Sequence, residues 1–205
     1  MTWYPDRIPD GLSRFFKRYF WHGDREVKTV YLTFDDGPTP LVTDFVLNEL
    51  AVHRYKATFF LIGNSVKRQP ELKNKVLQQG HQIGNHTYHH LNNWKHSTAA
   101  YISDVKLAEE VIDSKLFRPP YGRIKKSSAR KLRALGYQII LWDTLSGDFD
   151  RKRSAKSCLN GLKKNTKNGS VIVFHDSEKA FPILHEILPP YLQWLKEKGY
   201  SGAVC

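Results

Sequence analysis

Residues 29–38 read TVYLTFDDGP. The stretch up to Phe34 is β-branched, aromatic or aliphatic, the make-up of a buried strand. It stops at two acids, Asp35 and Asp36, and Gly37-Pro38 then imposes a tight turn. Six more runs of this kind follow, at 57–62, 81–84, 116–118, 137–142, 170–174 and, more weakly, 200–204. Between them lie segments of helical periodicity, at 41–53, 65–79, 98–114, 125–135, 155–165 and 183–198. Gly80, Gly136, Gly169 and Gly199 follow several of these as helix stops. Regular strand–helix alternation predicts an α/β domain with parallel strands.

About seven strands can close into a small barrel or stay an open sheet. The barrel is favoured by where the reactive residues fall. Asp35 with Asp36, His86, Arg118, Asp143 and His175 sit at the C-terminal ends of five different apolar runs or just beyond them. Barrel active sites assemble from such strand ends.

Composition sets the bounds. The chain has 205 residues, 40% hydrophobic and 25% charged, enough for one folded domain and too apolar for disorder. No repeat or low-complexity tract divides it. The net charge of +12 favours anionic partners. The basic residues are dispersed, however, and no helix-turn-helix, zinc-finger or RNA-binding signature accompanies them, so nucleic acid is not expected as a partner. Cys158 and Cys205 make no disulfide framework. Neither a signal peptide nor an apolar run near 20 residues is readable, which points to a cytoplasmic or peripheral-membrane location. Residues 1–24 read as an N-terminal amphipathic extension before a catalytic domain at 25–205. Within it, residues 12–21 (LSRFFKRYFW) place Phe16, Tyr19 and Phe20 at helical spacing among basic residues. They predict an amphipathic helix over one end of the fold, or alternatively a peripheral membrane contact.

Five segments carry chemistry. Asp35 and Asp36 repel each other, so a cation would hold one ionised and free the other to act as a base. Residues 84–90 (GNHTYHH) offer His86 with His90 four apart or His86 with His89 three apart, and either pair can grip one metal from one face of a turn. Arg118-Pro119-Pro120-Tyr121-Gly122 is a stiff loop that would hold Arg118 against a carboxylate and present the Tyr121 amide. Residues 141–150 (LWDTLSGDFD) bring Asp143, Asp148 and Asp150 close together. His175 ends a very apolar run, where an imidazole can serve as a proton donor near neutral pH.

In order and spacing these segments resemble the polysaccharide deacetylase family, the group related to rhizobial chitooligosaccharide deacetylases and containing chitin and peptidoglycan N-acetylglucosamine deacetylases. The likeness runs from about Thr29 to the C-terminus. It rests on the Thr-Phe-Asp-Asp-Gly-Pro stretch, the His86-Thr87-x-x-His90 pattern, Arg118-x-Pro-Tyr and the apolar-x-His ending at His175. The resemblance implies a distorted (β/α) barrel of about seven parallel strands. It implies a divalent metal on Asp36, His86 and His90, with His89 left outside. Zinc suits that donor set, which also accepts cobalt, nickel, manganese or iron. Asp35 is implied as the general base, His175 as the acid that protonates the leaving amine, and the Tyr121 backbone N–H as an oxyanion donor. Arg118 is implied to orient Asp35, and Asp148 to orient His175.

The expected reaction is removal of N-acetyl groups from an N-acetylglucosamine-containing glycan, releasing acetate. Two alternatives stand beside it: action on a lipid-linked sugar or non-sugar amide at a membrane surface, and glycan binding without catalysis. The fourth segment departs from the family pattern Trp-Ser-x-Asp-x-x-Asp-Trp. Leu145 stands at its first aspartate and Phe149 at its last tryptophan, while Asp143 is an added acid that can compete with Asp148 for His175.

Overall fold

In the computed structural model, residues 7, 11, 16 and 18–205 are described. Strand β1 (Thr29–Asp35) leads to helix α1 (Val42–His53) and β2 (Thr58–Leu61). Helices α2 (Gly63–Arg68) and α3 (Pro70–Gln78) precede β3 (Gln82–Asn85), and α4 (Thr98–Glu109) precedes β4 (Leu116–Phe117). Helix α5 (Lys126–Ala134) leads to the short β5 (Gln138–Ile139) and β6 (Thr144–Leu145). The chain finishes with α6 (Ala155–Asn165), β7 (Ser170–His175), α7 (Phe181–Glu197) and β8 (Ser201–Ala203).

All the pairings between these strands are parallel, in the order β5-β4-β3-β2-β1-β7-β6. The expected α/β barrel of about seven parallel strands is therefore present in a curled, incompletely hydrogen-bonded form. Its first strand is the most widely paired, with three partners. One edge of β1 pairs with β7 from Val30↔Ser170 to Asp35↔His175. The other edge is shared, with β8 along Thr29–Tyr31 and β2 along Thr33–Asp35. Alternation along β1 sends Val30, Leu32 and Phe34 to the main core beneath the helices, with residues of α1, α6 and α7. Thr33 and Asp35 turn to the barrel interior, where they meet Arg118. The interior is otherwise filled by a small cluster of Phe60, Leu116, Ile140 and Val171.

Strands β5 and β6 lie at opposite ends of the strand order, yet only residues 140–143 separate them. Five residue steps span at most about 17 Å, so the two edges must curl toward each other. Residues near the N-terminus then lace the seam. The Phe20 amide donates to the Ile139 carbonyl at 2.9 Å, Leu141 N–H donates to the Phe20 carbonyl at 2.8 Å, and Gly23 N–H donates to the Gly169 carbonyl at 2.8 Å. His22 bridges Ser170, and Arg7 bridges Thr144.

Four expectations need correction here. Of the helix expected over 12–21, residues 12–15 and 17 lie outside the described residues, while Phe20 and His22 make β-bridges. An extended course satisfies backbone groups of the seam, and it sets the Phe20 ring edge-on to Tyr31 at 5.5 Å. The helix expected at 65–79 is two helices. Pro70 has no N–H to continue the first and its fixed φ suits the first turn of the second. The helix expected at 98–114 stops at Glu109. The run at 137–142 is not one strand: β5 ends at Ile139 and β6, unforeseen, starts at Thr144. Asp143 therefore precedes a strand and lies away from the mouth formed by the strand C-termini. Among the described residues no helix is long and apolar enough to cross a membrane.

Candidate active site

The C-terminal ends of β1, β3, β4 and β7, with the loop after β6, converge on one mouth. From the end of β1, Asp36 enters in the left-handed region at φ 79°. The loop after β3 carries His86 and His90. One oxygen of Asp36 lies 3.2 Å from His90 Nε2 and 3.7 Å from His86 Nε2. One ligand atom from each of the three residues falls within 4.8 Å of the others. His86 and His90 converge without a helical turn. Thr87 and His90 both adopt positive φ, 66° and 55°, and fold the loop back. Of the six non-glycine residues at positive φ among those described, Asp36, Thr87, His90 and Tyr121 are all at this mouth. Strain gathered in this way belongs to a site held by its surroundings.

The donor set fits a divalent cation. His86 Nδ1 bonds the Arg118 carbonyl at 2.7 Å, which makes that nitrogen the donor and leaves the Nε2 lone pair facing Asp36. Burial pulls the His86 pKa down to about 4, so its imidazole is neutral, as a ligand must be. Burial alone would raise the Asp36 pKa. The hydrogen bond to His90 and the charges of His175, His86 and His90 outweigh burial and hold the carboxyl well below its ordinary range.

Asp35 lies beside this cluster and is gripped from below. Arg118 is fully buried. Its Nη1 donates to Asp35 Oδ1 and to Thr33 Oγ1, each at 2.7 Å, and its Nη2 donates to the Leu141 carbonyl at 3.2 Å. The guanidinium stacks 4.1 Å from the Phe60 ring centroid. A buried guanidinium needs such a set of acceptors, and it fixes the carboxylate of Asp35 in return.

His175 closes the opposite side. Asp148, fully buried, bonds His175 Nδ1 through one oxygen at 2.8 Å and accepts the His175 amide through the other at 2.8 Å. Burial would lower the His175 pKa. The charge and hydrogen bond of Asp148, with Asp36 and Asp35 adding, instead raise it to about 9. Asp148 is thus the partner, and the competing place considered for Asp143 is excluded. Asp143 pairs with Arg25 at 2.7 Å and accepts from Ser170 at 3.1 Å, at the other end of β6. Phe149 packs edge-on against His175, ring centroids 5.1 Å apart. Tyr121, at φ 62° after the two prolines, places its ring 4.7 Å from that of His90. The eight residues given roles by the resemblance, Asp35, Asp36, His86, His90, Arg118, Tyr121, Asp148 and His175, therefore gather at one mouth, and Asp143 does not.

Two positioning residues were not foreseen. Asp104 on α4 accepts the amides of Tyr88 and His89 at 2.9 and 3.0 Å and bonds His89 Nδ1 at 2.6 Å. It turns His89 outward and holds the loop that carries His86 and His90. Asp176, buried at the end of β7, accepts from Thr43 Oγ1 at 2.6 Å and from Gly37 N–H at 3.1 Å. It braces the turn just past Asp36. A β-carbon at Gly37 would lie 2.0 Å from an Asp176 oxygen, so the turn needs glycine there.

A carboxylate held by a buried guanidinium, an imidazole held by its own carboxylate and a triad able to hold a cation face one mouth, the arrangement that a cation-assisted hydrolase requires. Comparison with known proteins gives the particular family: the chain belongs to the polysaccharide deacetylases, whose family model matches residues 22–140. It is 36% identical over 196 residues to a peptidoglycan-N-acetylglucosamine deacetylase of Bacillus cereus, covering 88% of this chain and 87% of the relative. It is 31% identical over 202 residues to the peptidoglycan-N-acetylmuramic acid deacetylase PdaA of Bacillus subtilis, covering 93% of this chain and 75% of the relative. A solved peptidoglycan N-acetylglucosamine deacetylase, in complex with an N-oxidanyl-benzamide, superposes with a TM-score of 0.88 at 30% identity, over 98% of this chain and 95% of that one.

Proposed function

We propose that this enzyme removes N-acetyl groups from amino sugars of peptidoglycan strands, using a divalent cation, zinc by donor set, held by Asp36, His86 and His90. The observation that carries the reading is the Asp35–Arg118 pair set directly against that cluster, with the His175–Asp148 pair across the cleft. The family and the names of its relatives supply the substrate class.

A cation at this position would polarise the acetamide carbonyl and acidify the attacking water. Asp35, aimed by Arg118, takes a proton from the water as its oxygen bonds the carbonyl carbon. The Tyr121 backbone N–H donates to the carbonyl oxygen as negative charge builds there. His175 carries a proton on the imidazole because Asp148 stabilises the charged form. It passes that proton to the departing nitrogen as the C–N bond breaks. The products are acetate and a free amino sugar.

The test is acetate release from N-acetylglucosamine oligomers and from peptidoglycan fragments. Cation-stripped protein is assayed with and without added zinc or cobalt, beside Asp35→Asn. Release that needs the cation and disappears in Asp35→Asn supports both the reaction and the base. Cation binding with no release from either substrate would overturn the substrate class. Failure to bind any cation would overturn the mechanism.

A further inference from the structure

The loops after β3 and β4 carry more than the cation ligands and Tyr121. Just past His90, a 3-10 turn at Asn93–Lys95 presents Trp94. Just past Tyr121 comes Arg123, whose guanidinium carbon lies 4.8 Å from the Trp94 ring centroid. Among the described residues the exposed aromatics are Phe16, Trp94 and Tyr121, and the last two are on these adjoining loops.

The arrangement is rigid. Asn92 Oδ1 accepts the Trp94 amide at 3.0 Å. Buried Asn93 accepts the Lys125 amide at 2.7 Å, and Lys125 Nζ donates to the His96 carbonyl at 2.6 Å. The two loops are thereby pinned to each other. Trp94 nevertheless stays 61% exposed. An indole carried on a pinned backbone, stacked with Arg123 and otherwise in water, is a platform for the apolar face of a sugar ring. Four residue steps separate it from His90, at most about 14 Å, so a saccharide strand lying across the mouth reaches both.

Charge narrows the ligand further. Arg123 stacks on Trp94 and has no carboxylate within ion-pair distance among the described residues. Lys95 is exposed on the first of these loops and Lys126 at the start of α5, just past the second. A fixed guanidinium at the rim of an aromatic platform matches a sugar that itself bears a carboxylate.

We propose that Trp94 and Arg123 form an accessory saccharide subsite that holds an acidic sugar unit, such as a muramic acid residue, next to the unit that is deacetylated. The proposal rests on the deacetylase reading for its substrate strand. Its test is separable because binding is measured without turnover.

Two probes are titrated into cation-free full-length protein by calorimetry: a neutral N-acetylglucosamine tetramer, and a tetramer alternating N-acetylglucosamine with N-acetylmuramic acid. Trp94→Ala weakens both by about fivefold or more, the loss of one stacked face. Arg123→Gln weakens only the acidic tetramer by a similar factor and flattens its salt dependence. In turnover assays both variants raise KM and leave kcat unchanged. Acetate release can fail while the binding pattern holds, which sinks the reaction and keeps the subsite. Equal affinity of wild type and both variants for both tetramers overturns the subsite, as does wild type that binds neither. An Arg123→Gln loss of equal size on the neutral tetramer overturns the acidic-sugar assignment.

Discussion

The carboxylate of Asp176 reaches from the end of β7 to the amide of Gly37, one residue past Asp36. It ties the end of one strand to the turn that follows Asp36, a candidate cation ligand, on its neighbour. Removing it strands the Gly37 amide and the Thr43 hydroxyl, at about 1–3 kcal/mol for a buried unpaired group. Asp176→Ala is therefore expected to lower cation affinity by about tenfold, read by chelator competition, with a lower melting temperature. Asp176→Asn keeps an acceptor for Gly37 and should fall between. Unchanged affinity in Asp176→Ala would show that the turn holds itself.

The two histidines beside His86 should separate cleanly. His90→Ala removes a donor 3.2 Å from Asp36 and is expected to abolish tight cation binding. His89→Ala removes a contact with Asp104 on the outside of the loop and should keep a stoichiometric cation. Metal analysis after dialysis distinguishes them. Loss of the cation from His89→Ala alone would reverse the assignment.

His175 makes a prediction in pH. In cation-free protein its pKa is raised to about 9 from 6.5, by Asp148 against the pull of burial. A group raised on folding adds stability that is complete below its unfolded value and lost as pH rises through the folded one. Unfolding midpoints of the cation-free protein should therefore fall between about pH 6.5 and 9. Asp148→Asn should remove most of that slope and bring the imidazole resonance, followed by NMR, to a lower titration point. A histidine that already titrates below its ordinary value in the unmutated protein would refute the pairing.

Phe20 lines the seam between β5 and β6. Its ring packs on Tyr31 and its backbone on Ile139 and Leu141. Phe20→Ala is expected to cost roughly 2 kcal/mol, a fall of about 4–8 °C in Tm, with the cation site intact. An unchanged Tm accompanied by loss of membrane association would favour the interfacial role instead.

The strands that were legible in the sequence were those with long apolar runs, β1 and β7 above all, because burial on both faces leaves an unbroken signature. The candidate cation ligands were legible as a motif, although spacing alone left His89 and His90 equivalent. Only the positive φ of Thr87 and His90, which no propensity announces, decides which one turns inward. β6 was not legible, since two residues carry no period. Neither was the seam, because the pairing of Phe20 with Ile140 leaves no local mark on either segment. Asp104 looked like any polar residue of an amphipathic helix. Asp176 had a faint signal, an acid directly after a histidine at the end of an apolar strand, and its partner Gly37 lies at the other end of the chain.

The position of β1 bears on how the protein is made. Among the described strands it comes first in the chain and has the most partners, sharing one edge with β7 and part of the other with β8. A nascent chain that has not reached Ser170 holds β1 with one side wholly unpaired, an apolar template open to other chains. Parallel pairing over so many intervening residues is slow to close. The helices and early strands can assemble during synthesis, but β1 gains the partner along its whole length only when β7 arrives. Until then the open edge of β1 is the surface at which pairing with other chains competes with folding.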